Sequence, residues 1–217
     1  MSAKRDRRLV AAGLLLAVLL GLSGLRPYER STWLMEVAPI VIAAPVLVAT
    51  YRRFPLTSLL YVLLFCHAVI LMVGGAYTYA RVPLGFWVQD LLHLGRNPYD
   101  KLGHFAQGLV PALLAREIVL RTRAVAGRRM AGFVGICVAM TVSACYELVE
   151  WGAALALGQG ADAFLGTQGD PWDTQSDMLY ALIGSVVAML ALARLHDRAM
   201  ARLERPADSR VEAANAG

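Results

Sequence analysis

The chain has 217 residues, of which 58% are hydrophobic and only 17% charged, and its mean hydropathy is +0.53. Soluble domains run nearer 45–50% apolar and about 25% charged, so the composition excludes an ordinary soluble domain and points to a polytopic membrane protein. The net charge of +5 would suit nucleic acid, but Lys and Arg fall in short blocks beside apolar runs, which is a topology signal and excludes that partner.

Six apolar windows are long enough to cross a bilayer, at about 9–25, 33–50, 56–80, 101–120, 130–157 and 176–195. The expected fold is an all-α integral membrane bundle of about six transmembrane helices. Residues 1–8 form a cytoplasmic basic start, 9–195 a single transmembrane domain, and 196–217 a cytoplasmic tail that is partly disordered from Ser209 onward. The first window follows Lys4, Arg5, Arg7 and Arg8 but lacks a small-residue cleavage site, so it reads as an uncleaved anchor. The second carries Glu36, Pro39 and Pro45 and is expected to be kinked or locally unwound. Arg81 to Tyr99, before the fourth span, mixes Phe86, Trp87 and four leucines with Gln89, Asp90 and His93, the pattern of an interfacial helix.

With both termini in the cytoplasm, sixteen Lys and Arg lie near the inner face and five near the outer. That bias sets the orientation. It also brings ionisable residues to a common depth. Asp100, Lys101 and His104 begin the fourth span, and Asp100 and His104 share a face at the i, i+4 spacing. Glu147 and Glu150 lie roughly 26–30 Å along the fifth at 1.5 Å per residue. Asp173 and Asp177 open the sixth. Each such group costs about 2.5–3.5 kcal/mol at membrane depth, so the layer must pair internally or line a wet cavity.

Five carboxylates against one Lys and one His leave surplus negative charge, to be met by a retained proton or a bound cation. Asp100 and Asp173 also suit plain helix-start acids. His104, Glu147 and Asp177 lie deeper and read as a functional cavity. A single imidazole without a thiolate argues against a tight zinc site, although a divalent cation at the acidic cluster remains open. Cys66, Cys137 and Cys145 all fall inside apolar runs and form no CxxC motif or disulfide framework. His67 reads as a packed or backbone-bonded residue, and His93 and His196 as interfacial. The segment Gly158 to Thr174 has no Lys or Arg and reads equally as a turn or as a lid over the acidic layer.

Three motifs occur in order: Tyr99-Asp100-Lys101-Leu102-Gly103-His104-Phe105, Tyr146-Glu147-Leu148-Val149-Glu150-Trp151, and Gly169-Asp170-Pro171-Trp172-Asp173-Thr174-Gln175-Ser176-Asp177-Met178. In these the sequence resembles the YjdF family of bacterial inner-membrane proteins, over nearly the whole chain apart from both tails. The resemblance implies a multi-span inner-membrane protein and leaves the chemistry to the residues. More distantly, Asp100, Lys101, His104, Phe105, Glu147 and Asp177 resemble the pattern of VanZ-like proteins. The chain departs from that pattern in having no Arg in the last loop, and Ala181 where an Asn would stand.

Three functions fit the layer. As an enzyme at the outer leaflet, His104 with Glu147 or Glu150 would exchange protons, Asp100 would orient the imidazole and Asp177 would complete the set. Lys101, Trp172 and Asp173 would then hold a lipid headgroup or lipid-linked ligand. As a binder or small transporter, the same acids would attract a cationic ligand. As a structural or assembly protein, they would only fix helix register. Alkaline phosphatase fused after Gly217 is expected to be inactive and inserted near Gly160 to be active; the opposite pattern would overturn the orientation.

Overall fold

The computed structural model describes residues 3–157 and 168–203, and these are all-helical apart from turns and connections. The helices are α1 (Ala3–Leu25), α2 (Arg30–Thr50), α3 (Ser58–Tyr77), α4 (Pro83–Leu92), α5 (Tyr99–Arg121) and α6 (Arg128–Leu157), followed by α7 (Asp173–Leu203). Most of the segment read as turn or lid, and the tail from Ser209, lie outside the described residues.

Helix boundaries fall within a few residues of the expected spans, with α7 continuing beyond 195. Five helices are long and apolar enough to cross a membrane: α1, α2, α3, α6 and α7. The fourth expected span, α5, matches them in length at about 34 Å for 1.5 Å per residue, but Asp100, Lys101, His104, Gln107, Arg116, Glu117 and Arg121 make it too polar to qualify on composition. Its neighbours supply what its sequence lacks. α5 packs most extensively against α7 and α6, and also against α3. Thirteen of its 23 residues are buried, whereas α1 buries none. The outward faces of the other helices carry exposed Leu, Val, Ile and Phe, as expected for lipid contact.

Small residues allow the close approach. A Cβ on Gly108 would lie 1.8 Å from the Ala181 carbonyl oxygen, and one on Gly184 would lie 2.0 Å from that of Phe105. α5 and α7 therefore meet backbone to backbone through two glycines, the small-residue packing that substitutes for hydrophobic drive between membrane helices. Ala181, at the position where the VanZ-like pattern would have Asn, is fully buried at this crossing. A second cluster of Leu56, Leu60, Ala112, Leu113, Ala139 and Ala188 closes the interior between α3, α5, α6 and α7.

α7 contains a π-helical turn at Ala188–Leu192. Asp177 and His196 are nineteen positions apart, which in an unbroken α-helix would leave them about 100° out of phase. The π turn accommodates one extra residue and removes that offset. Both side chains consequently face α5.

α2 remains helical through Pro39 and Pro45, so the expected local unwinding does not occur. α4 is a ten-residue helix that exposes Leu84, Phe86, Trp87, Leu91 and Leu92, in keeping with an interfacial element. It is anchored from beneath by Asn97, whose Nδ2 donates to the Val82 carbonyl at 3.0 Å and whose Oδ1 accepts from Tyr99 N–H at 3.0 Å.

Candidate functional site: two buried polar layers on α5

The first layer lies at the start of α5. Lys101 donates to Asp177 Oδ1 at 2.6 Å and to Asp173 Oδ1 at 2.8 Å, and lies 3.8 Å from Asp100. His104 Nε2 is 3.4 Å from Asp100 Oδ1 and 3.8 Å from Asp177 Oδ2, while Nδ1 is 3.1 Å from Gln107 Oε1 and 3.8 Å from Glu147 Oε1. Asp100, Lys101, His104, Glu147, Asp173 and Asp177 are all buried, so six of the residues singled out from sequence converge.

The other two are less buried, although Glu150 lies within electrostatic reach of Glu147, His104 and Asp100. Glu150 is half-buried one turn further along α6 and makes no ion pair among the described residues, and Trp172 is 68% exposed. Trp172 thus stands at the surface, next in sequence to the buried Asp173.

Arg96, absent from the expected set, covers the layer. It pairs with Asp173, with Asp170 at 3.5 Å and with Asp100 at 3.6 Å. Partial burial works against its charge, but hydrogen bonding and attraction from Asp173 prevail and raise its pKa above the ordinary arginine value. The connection before α5 thus contributes a cation to the acidic layer.

Glu36 was legible as an isolated acid in an apolar run, the usual mark of a functional or paired group. It is buried in α2, accepts a hydrogen bond from Tyr79 at 2.8 Å and lies within electrostatic reach of Asp100 and His104. Tyr79 reaches it from a left-handed backbone position, φ 48°, which is costly for an aromatic residue and persists only where packing enforces it. Gly74 and Gly103 provide that packing, since a Cβ on either would come within 3 Å of the Tyr79 ring.

The second layer, at the opposite end of α5, corrects the reading of His196 as interfacial. His196 and Glu117 are fully buried and Arg116 nearly so. Glu117 Oε2 lies 2.8 Å from His196 Nε2 and accepts from the Thr57 hydroxyl at 2.8 Å; its Oε1 accepts from Thr57 N–H at 2.9 Å and from Arg121 at 2.7 Å. Arg116 lies 3.1 Å from His196 Nδ1 and donates to Asp197 at 2.7 Å. Thr57 also caps α3 by accepting from Leu60 N–H, so one side chain ties a helix start to a buried carboxylate. Here every Glu117 oxygen is satisfied, as a structural network requires. The first layer differs: Asp100 Oδ2 and Glu147 Oε1 are buried without a hydrogen bond, as is His67 Nε2 on α3. His67 is packed, and its Nε2 has no backbone partner among the described residues.

A helical membrane bundle with a charged central helix is the class that fold and site define. The family described as predicted membrane protein (DUF2238) matches residues 8–198, and the chain belongs to it. The chain is 60% identical over 191 residues to the inner membrane protein YjdF of Escherichia coli strain K12, covering 88% of this chain and 91% of the relative. No solved structure matches. It is therefore an inner-membrane protein with several apolar helices.

Removing Glu117 tests the second layer. Glu117→Ala would leave His196, Arg121 and Thr57 facing a void, with an expected loss of about 3–5 kcal/mol. Asp170→Asn, at a partly exposed ion pair, should cost under about 1 kcal/mol. Unfolding of the full chain in detergent measures both, and equal effects would contradict the structural assignment.

Proposed function

We propose that this protein binds a cationic ligand, without covalent chemistry, in the layer formed by α5, α6 and α7, and that this layer faces the extracytoplasmic side. The orientation follows the cation bias, with six crossings and both termini cytoplasmic. The observation that carries the reading is the charge balance: Asp100, Glu147, Asp170, Asp173 and Asp177 stand against Arg96, Lys101 and His104. Two buried carboxylate oxygens there lack hydrogen bonds, and buried acids in surplus attract a cation.

Acid–base catalysis by His104 and Glu147 has less support, because no hydroxyl or thiol nucleophile bonds to His104 among the described residues. A purely structural layer is favoured by one feature, the short Lys101 bonds that lace α5 to α7. Ligand binding separates these readings.

The test uses full-length protein in nanodiscs of phosphatidylethanolamine and phosphatidylglycerol, titrated calorimetrically with spermidine, phosphoethanolamine, Mg²⁺ and Mn²⁺. At least one probe is expected to bind stoichiometrically and to weaken at least about tenfold, roughly 1.4 kcal/mol, in Asp177→Asn. No binding by any probe, or equal binding by the variant, would leave the layer a structural device only.

A further inference from the structure

We propose that Asp100, His104 and Asp177 form a binding site for one divalent first-row metal ion, of the manganese or iron class. The proposal rests on the cation-binding reading and names its ligand. One oxygen from each carboxylate and one imidazole nitrogen all lie within 4.8 Å of one another. The two measured edges from Nε2, 3.4 Å to Asp100 Oδ1 and 3.8 Å to Asp177 Oδ2, exceed the common N–H···O separation of about 2.9–3.0 Å. They approach the separation of about 3.4 Å between two donors that each lie about 2.1 Å from a tetrahedral ion. Inward movement of Asp177 would close the set.

The surroundings dispose these atoms toward a metal. Gln107 Oε1, 3.1 Å from His104 Nδ1, is placed to accept Nδ1–H, which leaves the Nε2 lone pair directed at Asp100 and Asp177. A lone pair facing two carboxylates is repelled unless a proton or a metal lies between them, and a fixed Nδ1–H partner is the arrangement that orients metal-binding histidines. Each carboxylate also divides its oxygens. Asp177 gives Oδ1 to Lys101 and turns Oδ2 to His104; Asp100 turns Oδ2 toward Arg96 and Lys101, and Oδ1 to His104.

Independent of this triad, the Glu147 side chain is buried, and its Oε1 faces the imidazole without a hydrogen bond. A dication would offset more of the surplus negative charge than an imidazolium could. One imidazole with carboxylates and no thiolate selects borderline and hard divalent ions over soft ones.

The test strips full-length protein in nanodiscs with a chelator and titrates Mn²⁺, following the electron paramagnetic resonance signal of the free ion. One ion per chain is expected, with nitrogen coupling from an imidazole in the pulsed spectrum of the wild-type protein. His104→Asn and Asp177→Asn should weaken binding at least about 100-fold, and Gln107→Leu, which removes only the orienting acceptor, about tenfold. Absence of stoichiometric uptake, absence of nitrogen coupling in the wild-type complex, or unchanged affinity in Gln107→Leu would each overturn the proposal. The wild-type spectrum decides even if a ligand variant fails to fold. Binding of spermidine or phosphoethanolamine without Mn²⁺ would refute the metal site and leave the cation-binding reading standing.

Discussion

A helix carrying ionised groups can lie inside an apolar bundle only if its neighbours neutralise them, because an unpaired charge in low dielectric costs several kcal/mol. The Lys101 ammonium, bonded to Asp173 and Asp177, meets that condition at one end of α5. Glu117, held by Thr57, Arg121 and His196, meets it at the other. Both sets of partners include residues of α7, so the pairing of these two helices organises the remaining packing.

Backbone geometry serves the same requirement. Gly108 and Gly184 bring α5 and α7 close enough for short side chains such as Asp177 to reach across. The π turn at Ala188–Leu192 then rotates the far half of α7 so that His196 also points inward. Without the extra residue, one end of α7 could pair with α5 and the other would present its imidazole elsewhere. The two layers differ in completeness: every Glu117 oxygen is satisfied, whereas Asp100 Oδ2 and Glu147 Oε1 are left without hydrogen bonds.

Much of this was legible in the sequence. Apolar run lengths located the helices, and depth along each run brought Asp100, Lys101, His104, Glu147, Asp173 and Asp177 together. The Glu117 layer was missed because Arg116, Arg121 and the cations near His196 were read as topology signals at a membrane edge. Side chains of that kind serve equally as buried partners when a neighbouring helix supplies Thr57 or Asp197. Arg96 was likewise counted only as an outer-face cation. The π turn has no signature in hydropathy, because Ala188-Met189-Leu190-Ala191-Leu192 is as apolar as any helical stretch.

The pairing of Lys101 with Asp177 is most directly tested by a double-mutant cycle of Lys101→Met and Asp177→Leu, read from reversible unfolding of the full chain in mixed micelles. Lys101→Met takes the ammonium from Asp173 and Asp177, and Asp177→Leu leaves that ammonium with Asp173 alone as a hydrogen-bonded carboxylate; each is expected to destabilise, the first more than the second, while the double variant should recover part of the loss, with a coupling of about 1–3 kcal/mol. Recovery stays incomplete because Lys101 also serves Asp173. Additive losses, with no coupling, would contradict the account.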